Sequence, residues 1–351
     1  MSTMAIRVGI IGCGMIAIKR HFPELAQNPA VELLACCDYV AARSQAMAQE
    51  YGCTPYTDYR EMLDKCQLDA AVVCSNNATH CEVTTACLKK GLHVLCEKPM
   101  AATLEEARAM VGTARDADRI LMIAQNQRMS GAYRKAKEIL SSRKLGRVLS
   151  FRTVFGHPGC EHWSIDGLSS WFFDPDLAAF GCLADLGVHK VDLMRWLLEE
   201  EFVEAFAYKA TRDKKKLDGS PVDVEDNMCG VLRSETGVIG TIATSWTYYG
   251  PEDNSSVFYC EKGILSILTD PEFMVRVDYP DETGERYIVP GVGSNDKPIK
   301  SGIPDEFIGA ILEGRDPAIT GVDGYNSLAV AVALNDSAES GRPVAVHHFP
   351  Y

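Results

Sequence analysis

Residues 1–125 alternate short apolar runs with amphipathic stretches. The apolar or β-branched runs predict five buried strands, at residues 7–11, 31–37, 70–74, 93–96 and 120–124. The stretches between them predict helices at residues 15–26, 41–51, 80–90 and 103–118. Strands that alternate with helices in this way form a parallel sheet covered on both faces, so this part of the chain predicts a doubly wound α/β Rossmann domain.

The pattern changes after about residue 125. Helices are predicted at residues 133–140, 183–198, 305–313 and 323–340, and a strand at 148–155 leads into a loop that ends near residue 180. Residues 202–289 predict hairpins, because short strands flank tight turns such as Glu261-Lys262-Gly263. We therefore expect domains at 1–125 and 126–351, the second being α+β with a large, mainly antiparallel, open-faced sheet.

The overall charge narrows the range of partners. The formal net charge is −13, which argues against nucleic acid or an anionic membrane as a partner, because phosphate binding needs clustered Lys and Arg. The basic run Arg212–Lys216 is expected to be a solvated loop. No targeting segment is expected, and no apolar run approaches the roughly 20 residues that a membrane helix needs.

Cysteine usage indicates a reducing compartment. The chain has 13 cysteines, an odd number, and they lie mostly within apolar segments. Buried, reduced thiols of a cytoplasmic protein are therefore expected. The group His157, Cys160 and His162 fits no standard zinc spacing, so no metal is expected.

A glycine-rich turn follows the first predicted strand and opens the first helix. Its sequence, Gly12-Cys-Gly14-Met15-Ile16-Ala17, has the form G-x-G-x-x-A. In such a turn Gly12 permits the tight bend, Gly14 lets a pyrophosphate approach the backbone, and Ala17 allows close packing of helix on strand. Free N–H groups at the helix N-terminus, where Met15 and Ile16 lie, face the anion. This pattern is typical of dinucleotide binding.

The end of the second strand indicates which dinucleotide binds. Asp38 lies there, and a carboxylate at this position hydrogen-bonds the adenosine ribose hydroxyls and repels a 2′-phosphate. NAD is therefore expected rather than NADP, although Arg43 keeps NADP open as an alternative. A purely structural interpretation is a glycine turn in which Asp38 caps a helix.

Three further segments carry a family resemblance. They are Glu97-Lys98-Pro99 at the end of a strand, Ser75–His80 after another, and Gly181–Asp192, which has the form G-x-x-x-D-x-G-x-H-x-x-D. Their order and spacing resemble the Gfo/Idh/MocA oxidoreductase family, which includes inositol 2-dehydrogenase and glucose–fructose oxidoreductase. The chain departs from the family at Phe180, where a small residue is usual.

The resemblance implies an NAD-dependent dehydrogenase that acts on a sugar or polyol. It implies catalytic roles for Lys98, Asp185 and His189, and subunit pairing through the open sheet face as a homodimer or homotetramer. With the turn residues, Asp38 and Arg43, the expected cofactor-binding residues are Ser75, Asn76, His80, Glu97, Lys98 and Gln125. The expected substrate-binding residues are Lys98, Arg128, His157, Trp163, Trp171, Asp185 and His189.

The residues themselves support this chemistry. Oxidising a secondary alcohol removes a hydride from carbon and a proton from oxygen, so a base must reach the hydroxyl. Asp185 and His189 are four residues apart on a predicted helix and share a face, so His189 can act as the base while Asp185 orients it or binds a neighbouring hydroxyl. Lys98 follows a parallel strand, and its ammonium can stabilise a developing alkoxide.

Each of these residues also has a structural interpretation. Lys98 can be a surface lysine, His189 can be paired with Asp185 or Asp192, and Asp185 can be a charge at a helix N-terminus. The aromatic run Trp171–Phe173 is equally consistent with an apolar wall for a sugar and with core packing.

Three functional hypotheses follow. The first is reversible NAD-linked oxidation of a sugar, inositol or sugar derivative. The second is transient oxidation of a glycoside, for example at C3, with NAD recycled in place. The third is a non-catalytic NAD-binding sensor, which the joint presence of Lys98, Asp185 and His189 argues against.

Overall fold

Two β-sheets organise the chain in the computed structural model, which describes residues 5–291 and 300–350. The strands of the first sheet are β1 (Ile6–Ile11), β2 (Val31–Cys37), β3 (Thr54–Tyr56), β4 (Ala70–Val73), β5 (His93–Cys96) and β6 (Leu121–Ile123). All neighbours are parallel, in the order β3-β2-β1-β4-β5-β6. The order reverses between β1 and β4, so a crevice opens at their carboxyl ends, where ligands of such sheets bind.

A helix follows each strand of this sheet. After the first five strands come α1 (Phe22–Ala26), preceded by a π-helical turn at Ala17–His21, α2 (Ala41–Tyr51), α3 (Tyr59–Lys65), α4 (His80–Lys89) and α5 (Leu104–Ala117). A capping box begins α5, because Thr103 and Glu106 each accept the other's backbone N–H through their side chains. The predicted parallel α/β domain is confirmed.

The sequence pattern does not predict β3 and α3. β3 has three residues and contains Pro55, which cannot donate to a ladder and is tolerated at the edge of the sheet. Asp58 begins α3, since its carboxylate accepts the Arg60 N–H at 2.9 Å. Both elements are too short to show a hydrophobic period.

The second sheet is built from the later part of the chain. Its strands are β7 (Val148–Gly156), β8 (Phe202–Ala210), β9 (Asn227–Ser234), β10 (Ile239–Ser245), β11 (Ser256–Cys260), β12 (Gly263–Ile267), β13 (Val275–Asp278), β14 (Gly284–Tyr287) and β15 (Val344–Ala345). Their order is β14-β13-β12-β11-β7-β10-β9-β8-β15. Neighbours are antiparallel except β7 and β10, which run parallel. The prediction of a mainly antiparallel sheet is confirmed.

Helices cover one face of the second sheet. The later helices are α6 (Gly131–Ser141), α7 (Pro175–Ala178), α8 (Val188–Leu198), which continues a π-helical turn at Leu183–Gly187, α9 (Ile303–Glu313) and α10 (Gly321–Ser340). α10 packs on β8 and α8 packs on β7. The sheet also exposes Tyr208, Val231 and Ile239, which agrees with the predicted open face. Among residues 5–291 and 300–350, no helix has the length and apolarity to cross a membrane.

The C-terminal part of the chain returns to the first sheet. The Ile123 N–H donates to the Ile319 carbonyl at 3.3 Å, and Met122 forms a β-bridge with Thr320. At the start of α9, the Glu24 carboxylate accepts the backbone N–H of Ser301 at 2.7 Å. These contacts tie the second part of the chain to the nucleotide-binding half, and they bring the carboxyl edge of the first sheet against the second sheet.

A buried charge network lies where the two halves meet. Arg128 donates to both carboxylate oxygens of Asp192 in α8, at 2.6 and 2.7 Å, and to Asp323 in α10 at 3.2 Å. Its side chain is 6% exposed and that of Asp192 is 1% exposed. The expectation that Arg128 binds substrate is therefore corrected: its guanidinium is committed to holding helices together and does not line the cleft.

Arg128→Met should destabilise the protein strongly. We expect the free energy of unfolding to fall by about 3–5 kcal/mol, because Asp192 is left as a buried charge without its bidentate partner. Urea unfolding followed by circular dichroism measures the loss. Arg147→Met is the matched control, since Arg147 is 80% exposed in its pair with Glu261 and its removal should cost under about 1 kcal/mol. Equal losses in the two variants would contradict the structural role of Arg128.

Candidate active site

A single cleft brings together most of the residues predicted from sequence. It has a volume of about 800 Å³ and lies between the carboxyl edge of the first sheet and the second domain. The first domain contributes Gly14, Met15, Ile16, Arg43, Ser75, His80, Glu97 and Lys98. The second domain contributes His157, Trp163, Trp171, Asp185 and His189.

The glycine-rich turn forms one end of the cleft. Gly12 has φ +97°, and a Cβ there would lie 2.4 Å from the Cys74 carbonyl oxygen, so only glycine fits. A Cβ on Gly14 would meet no atom within 4 Å, because this residue faces open space in the cleft. A pyrophosphate can therefore approach the backbone at Gly14 and the following helix N-terminus, where Met15 and Ile16 line the cleft. The residues present fit a dinucleotide.

The helix after this turn contains a π-helical turn, a feature often found at functional sites. Within it, Arg20 lines the cleft and His21 is buried behind it. His21 Nε2 donates to Glu97 Oε1 at 2.8 Å. Burial alone raises the pKa of Glu97, but the hydrogen bond and charge of His21 and the charge of Arg20 lower it to about 2. Sequence patterns carry no signal for Arg20, because periodicity does not reveal π-helical turns.

Asp38 and Arg43 occupy different positions at the adenosine side. Asp38 accepts the Cys13 N–H at 2.8 Å and the Val40 N–H at 2.9 Å, so both its oxygens bond the backbone. It does not cap a helix as the structural interpretation supposed, because the N-cap of α2 is Val40 and no side chain caps that helix. Each carboxylate oxygen keeps a second acceptor position for a ribose hydroxyl. Arg43 lines the cleft, but its guanidinium is paired with Asp166 of the second domain at 2.5 Å.

Some residues of the segment after β4 line the cleft, and others support its backbone. Ser75 and His80 line the cleft, but Asn76 does not: its side chain caps the short 3-10 helix at Asn77–Thr79. The ring nitrogens of His80 lie 2.8 Å from the Pro99 carbonyl oxygen and 3.0 Å from the Ser75 carbonyl oxygen. Burial lowers the pKa of His80. The ring of His80 therefore lies between the backbone of Ser75 and that of Pro99, the residue after Lys98.

Lys98 and Asp185 meet across the domain boundary. Lys98 Nζ donates to the Asp185 main-chain oxygen at 2.7 Å and to its Oδ1 at 3.1 Å. Asp185 Oδ2 accepts the indole N–H of Trp246 at 3.0 Å, and His157 Nε2 lies 3.8 Å from the same oxygen. Trp246 is fully buried and was missed by sequence reasoning, since an apolar strand residue gives no sign of such a bond.

Gln125, rather than a carboxylate, orients His189. Its Oε1 lies 3.1 Å from His189 Nδ1, so Nδ1 donates and Nε2 is left to accept a proton. The suggestion that Asp185 orients His189 is corrected, because the Asp185 carboxylate is bonded to Lys98 and Trp246. Asp192, the other suggested partner of His189, is held by Arg128 instead.

The surroundings of His189 keep its imidazole neutral. Burial lowers the pKa of His189 well below its ordinary value, and the charges of Lys98, Arg20 and Lys190 lower it further. Lys190 is itself fully buried, its Nζ donates to the Tyr133 hydroxyl at 2.8 Å, and burial lowers the pKa of this amine well below its ordinary value. An imidazole that stays neutral is the form that can accept a proton.

The long loop after β7 supplies an aromatic wall. Trp171 stacks on Phe172 with ring centroids 3.9 Å apart, and Trp163 meets Phe172 edge-on at 5.1 Å. These three side chains line the cleft. Phe173 points the other way and packs on buried Trp246 at 5.8 Å. Of the aromatic run left open between wall and core, two residues lie on the wall and one in the core.

The basic run Arg212–Lys216 is not wholly solvated, which corrects the expectation. Lys214 is buried, and its ammonium pairs with Glu161 in the loop and contacts the Pro158 carbonyl. Asp226 holds the run in place by accepting three successive backbone N–H groups at 2.7–3.0 Å. The exposed remainder of the run fits a loop, and Lys214 anchors the wall of the cleft.

Two further polar side chains line the cleft without having been predicted. Gln127 is buried, and its Oε1 has no hydrogen-bond partner among the residues that the structure describes. Glu252 is an exposed residue whose carboxylate faces the cavity. Gln127 follows β6 at the carboxyl edge, so its position was a usable signal. The loop position of Glu252 gave none.

Among the cysteines, Cys74 lines the cleft, and burial raises the pKa of its thiol well above the ordinary value. All 13 are free thiols. Across residues 5–291 and 300–350, no cluster of three or more His, Cys, Asp or Glu side chains has the arrangement to hold a metal ion.

The first sheet is parallel, its glycine-rich turn opens to the cleft, and Lys98 and a neutral His189 line that cleft. These are the features of an NAD-binding oxidoreductase. Residues 6–125 match the family described as "Oxidoreductase family, NAD-binding Rossmann fold", and residues 133–266 match "GFO/IDH/MocA C-terminal domain". The chain belongs to the GFO/IDH/MocA family of oxidoreductases.

Similar proteins span the whole chain. It is 28% identical to myo-inositol 2-dehydrogenase of Thermotoga maritima, with 97% of this chain and 98% of that protein covered. It is also 28% identical to D-glucoside 3-dehydrogenase of Escherichia coli, with 98% of each covered. Among solved structures, levoglucosan dehydrogenase in complex with NADH has a TM-score of 0.85 and 25% identity, over 99% of this chain and 100% of that one.

The protonation of His189 should show the influence of its neighbours. We expect the imidazole to titrate below pH 6.5, because burial and nearby cations disfavour its charged form. Lys98→Met removes one cation and should move the titration to higher pH. Nuclear magnetic resonance of labelled histidine rings measures both, with His189→Gln used to assign the signal. Titration of the wild type at or above pH 6.5 would contradict this electrostatic picture.

Proposed function

We propose that this protein oxidises a secondary hydroxyl of a sugar, inositol or sugar derivative, with hydride transfer to NAD. One observation carries the proposal: Lys98 from the nucleotide-binding half and His189 from the second half line the same cleft, next to the glycine-rich turn. The relatives named for inositol, glucosides and levoglucosan support the class of substrate. The sensor hypothesis does not explain why a lysine and a neutral histidine converge there.

The roles of the residues follow from their contacts. Bound NAD supplies the hydride acceptor at its nicotinamide ring. His189 accepts the hydroxyl proton at Nε2, because Gln125 occupies Nδ1. The Lys98 ammonium lies beside the reacting oxygen and stabilises the negative charge that develops as the proton leaves. Asp185 holds that ammonium in place and accepts a hydrogen bond from a second hydroxyl of the substrate.

The cleft suits a polyhydroxylated ring. The C–H face of a sugar can stack on Trp171 and Phe172, and Gln127, Glu252 and His157 line the same cleft as polar partners. We therefore assign substrate binding to Lys98, His157, Trp163, Trp171, Asp185 and His189, without Arg128.

The assigned cofactor contacts combine residues that line the cleft with Gly12 and Asp38, which belong to the glycine-rich turn and the end of β2 and are not among the lining residues. We assign Gly12, Gly14, Met15, Ile16, Asp38, Ser75, Glu97 and Lys98 to the cofactor, and we place Asn76, His80 and Gln125 as supports of the residues that contact it. Asp38 favours NAD, because a carboxylate at the ribose disfavours a 2′-phosphate.

We also propose an assembly of subunits, based on the exposed face of the second sheet. The open face of the second sheet exposes apolar side chains at Leu149, Tyr208, Val231, Ile239 and Tyr259. Exposed apolar side chains on an open sheet face are typical of subunit interfaces, so we propose that a second copy of the chain covers this face in a homodimer or homotetramer. Cytoplasmic location remains a prediction from the free thiols.

A panel of sugars, inositols and glycosides incubated with NAD tests the activity. We expect net formation of NADH with at least one of these compounds. The absorbance of NADH measures its formation. Lys98→Met should lower kcat/KM by about 10²–10³-fold, and His189→Asn by about 10²–10⁴-fold. Lys90→Met, on the exposed end of α4, is the control and should leave kcat/KM unchanged.

The same panel separates the alternatives. Oxidised or rearranged product without net NADH would favour a glycoside-processing enzyme that recycles NAD in place. NADH binding without any turnover would favour the sensor and contradict the dehydrogenase.

Trp246→Phe should weaken catalysis more than folding. The variant keeps an aromatic ring against Phe172 and Phe173 but loses the N–H that bonds Asp185 Oδ2. We expect kcat/KM to fall about 10-fold, because a hydrogen bond to a buried carboxylate is lost. Steady-state kinetics and a thermal melt of the variant test this. Trp196→Phe, which changes a tryptophan outside the cleft, is the control. Unchanged kcat/KM would show that Trp246 does not position Asp185.

A further inference from the structure

An ion pair closes the adenosine side of the cleft. Arg43 lies in the first turn of α2, and its Nη2 donates to Asp166 Oδ1 at 2.5 Å. The two residues are 123 positions apart and belong to different domains. Both line the cleft, and their side chains are 19% and 27% exposed, so the pair is partly shielded from water.

The loop presents Asp166 in a defined position. Its backbone N–H donates to the Ser164 hydroxyl at 3.4 Å, and its carbonyl accepts the Ser169 N–H at 2.9 Å. Ser164 and Ser170 bond to each other through their hydroxyls at 2.9 Å. The carboxylate therefore projects from a short, hydrogen-bonded turn toward Arg43.

Arg43 is the cation best placed to receive a 2′-phosphate. α2 begins four residues after β2 ends at Cys37, next to Asp38, and Arg43 lines the same cleft as Gly14. A 2′-phosphate carries close to two negative charges near neutral pH, and a guanidinium is its preferred partner. In this structure that guanidinium is already neutralised by a carboxylate from the other domain.

We propose that Asp166 is a determinant of cofactor selectivity, acting through Arg43. NADP binding requires Arg43 to leave Asp166, and the carboxylate then faces the 2′-phosphate as a like charge. NAD has no such requirement, since its ribose hydroxyls bond to Asp38. The preference for NAD is thus set from both sides of the cleft, by Asp38 in the nucleotide-binding half and by Asp166 in the substrate loop.

Dissociation constants for NADH and NADPH test this role without any sugar. They are measured from the fluorescence of the reduced cofactor on the wild type, Asp166→Asn, Asp166→Glu, Arg43→Gln and the double variant. In Asp166→Asn we expect the Kd ratio of NADPH to NADH to fall about 10-fold, because Arg43 becomes free to form a charge-assisted bond with the phosphate. Asp166→Glu, which restores the charge, should keep the ratio within about twofold of the wild type.

The double variant identifies the pathway of the effect. Asp166→Asn combined with Arg43→Gln should show no gain in NADPH affinity, because the receiving cation is gone. An unchanged ratio in Asp166→Asn, or a gain that persists in the double variant, would overturn the proposal. The inference rests on the same NAD cleft as the proposed function, yet the two fail separately: a protein that oxidises no sugar but shows the ratio shift contradicts only the dehydrogenase.

Discussion

The partly buried Lys98 ammonium joins the two halves of this protein at the active-site cleft. The Lys98 ammonium is 15% exposed and donates to both the main chain and the carboxylate of Asp185, which lies on the opposite domain. Removing an ammonium from water is costly unless an opposite charge and hydrogen bonds replace the lost hydration. Neither domain supplies that compensation alone, so the cleft and its chemistry depend on the two domains meeting at this point.

The charges around this pair give the neighbouring groups different states. The Asp185 carboxylate accepts hydrogen bonds from the Lys98 ammonium and from the indole N–H of Trp246. His189 is buried near Lys98, Arg20 and Lys190 and has an amide rather than a carboxylate as its partner, so it stays uncharged. Of these groups, Lys98 and Arg20 line the cleft, and positive charge there favours negative charge on a substrate oxygen.

The substrate loop is attached to both halves. Lys214, from the loop between β8 and β9, holds it through Glu161, and Arg43, from the nucleotide-binding half, holds it through Asp166. The aromatic wall that we assign to the sugar lies between these two attachments.

Local patterns in the sequence were sufficient to predict the architecture. For each contact in the site they were sufficient to predict one of the two residues, but not its partner. The Gly12–Ala17 turn, the strand and helix periods and the positions of Lys98, Asp185 and His189 depend on neighbouring residues or on fixed spacings, so the chain displays them directly. The edge strand β3 and the helix α3 were not predicted, because elements this short do not show a detectable hydrophobic pattern. Arg128 was misassigned because its place after a strand is the same for a ligand contact and a buried ion pair.

Only the tertiary structure decided which partners these residues have. Gln125 on His189, Trp246 on Asp185 and Asp166 on Arg43 are separated by 64, 61 and 123 positions. No periodicity or spacing rule connects residues so far apart, since their contact depends on how two sheets pack. The sequence by itself determined which chemical groups are present and on which elements they lie. Packing determined their charge states, their orientation and the groups that compete for them.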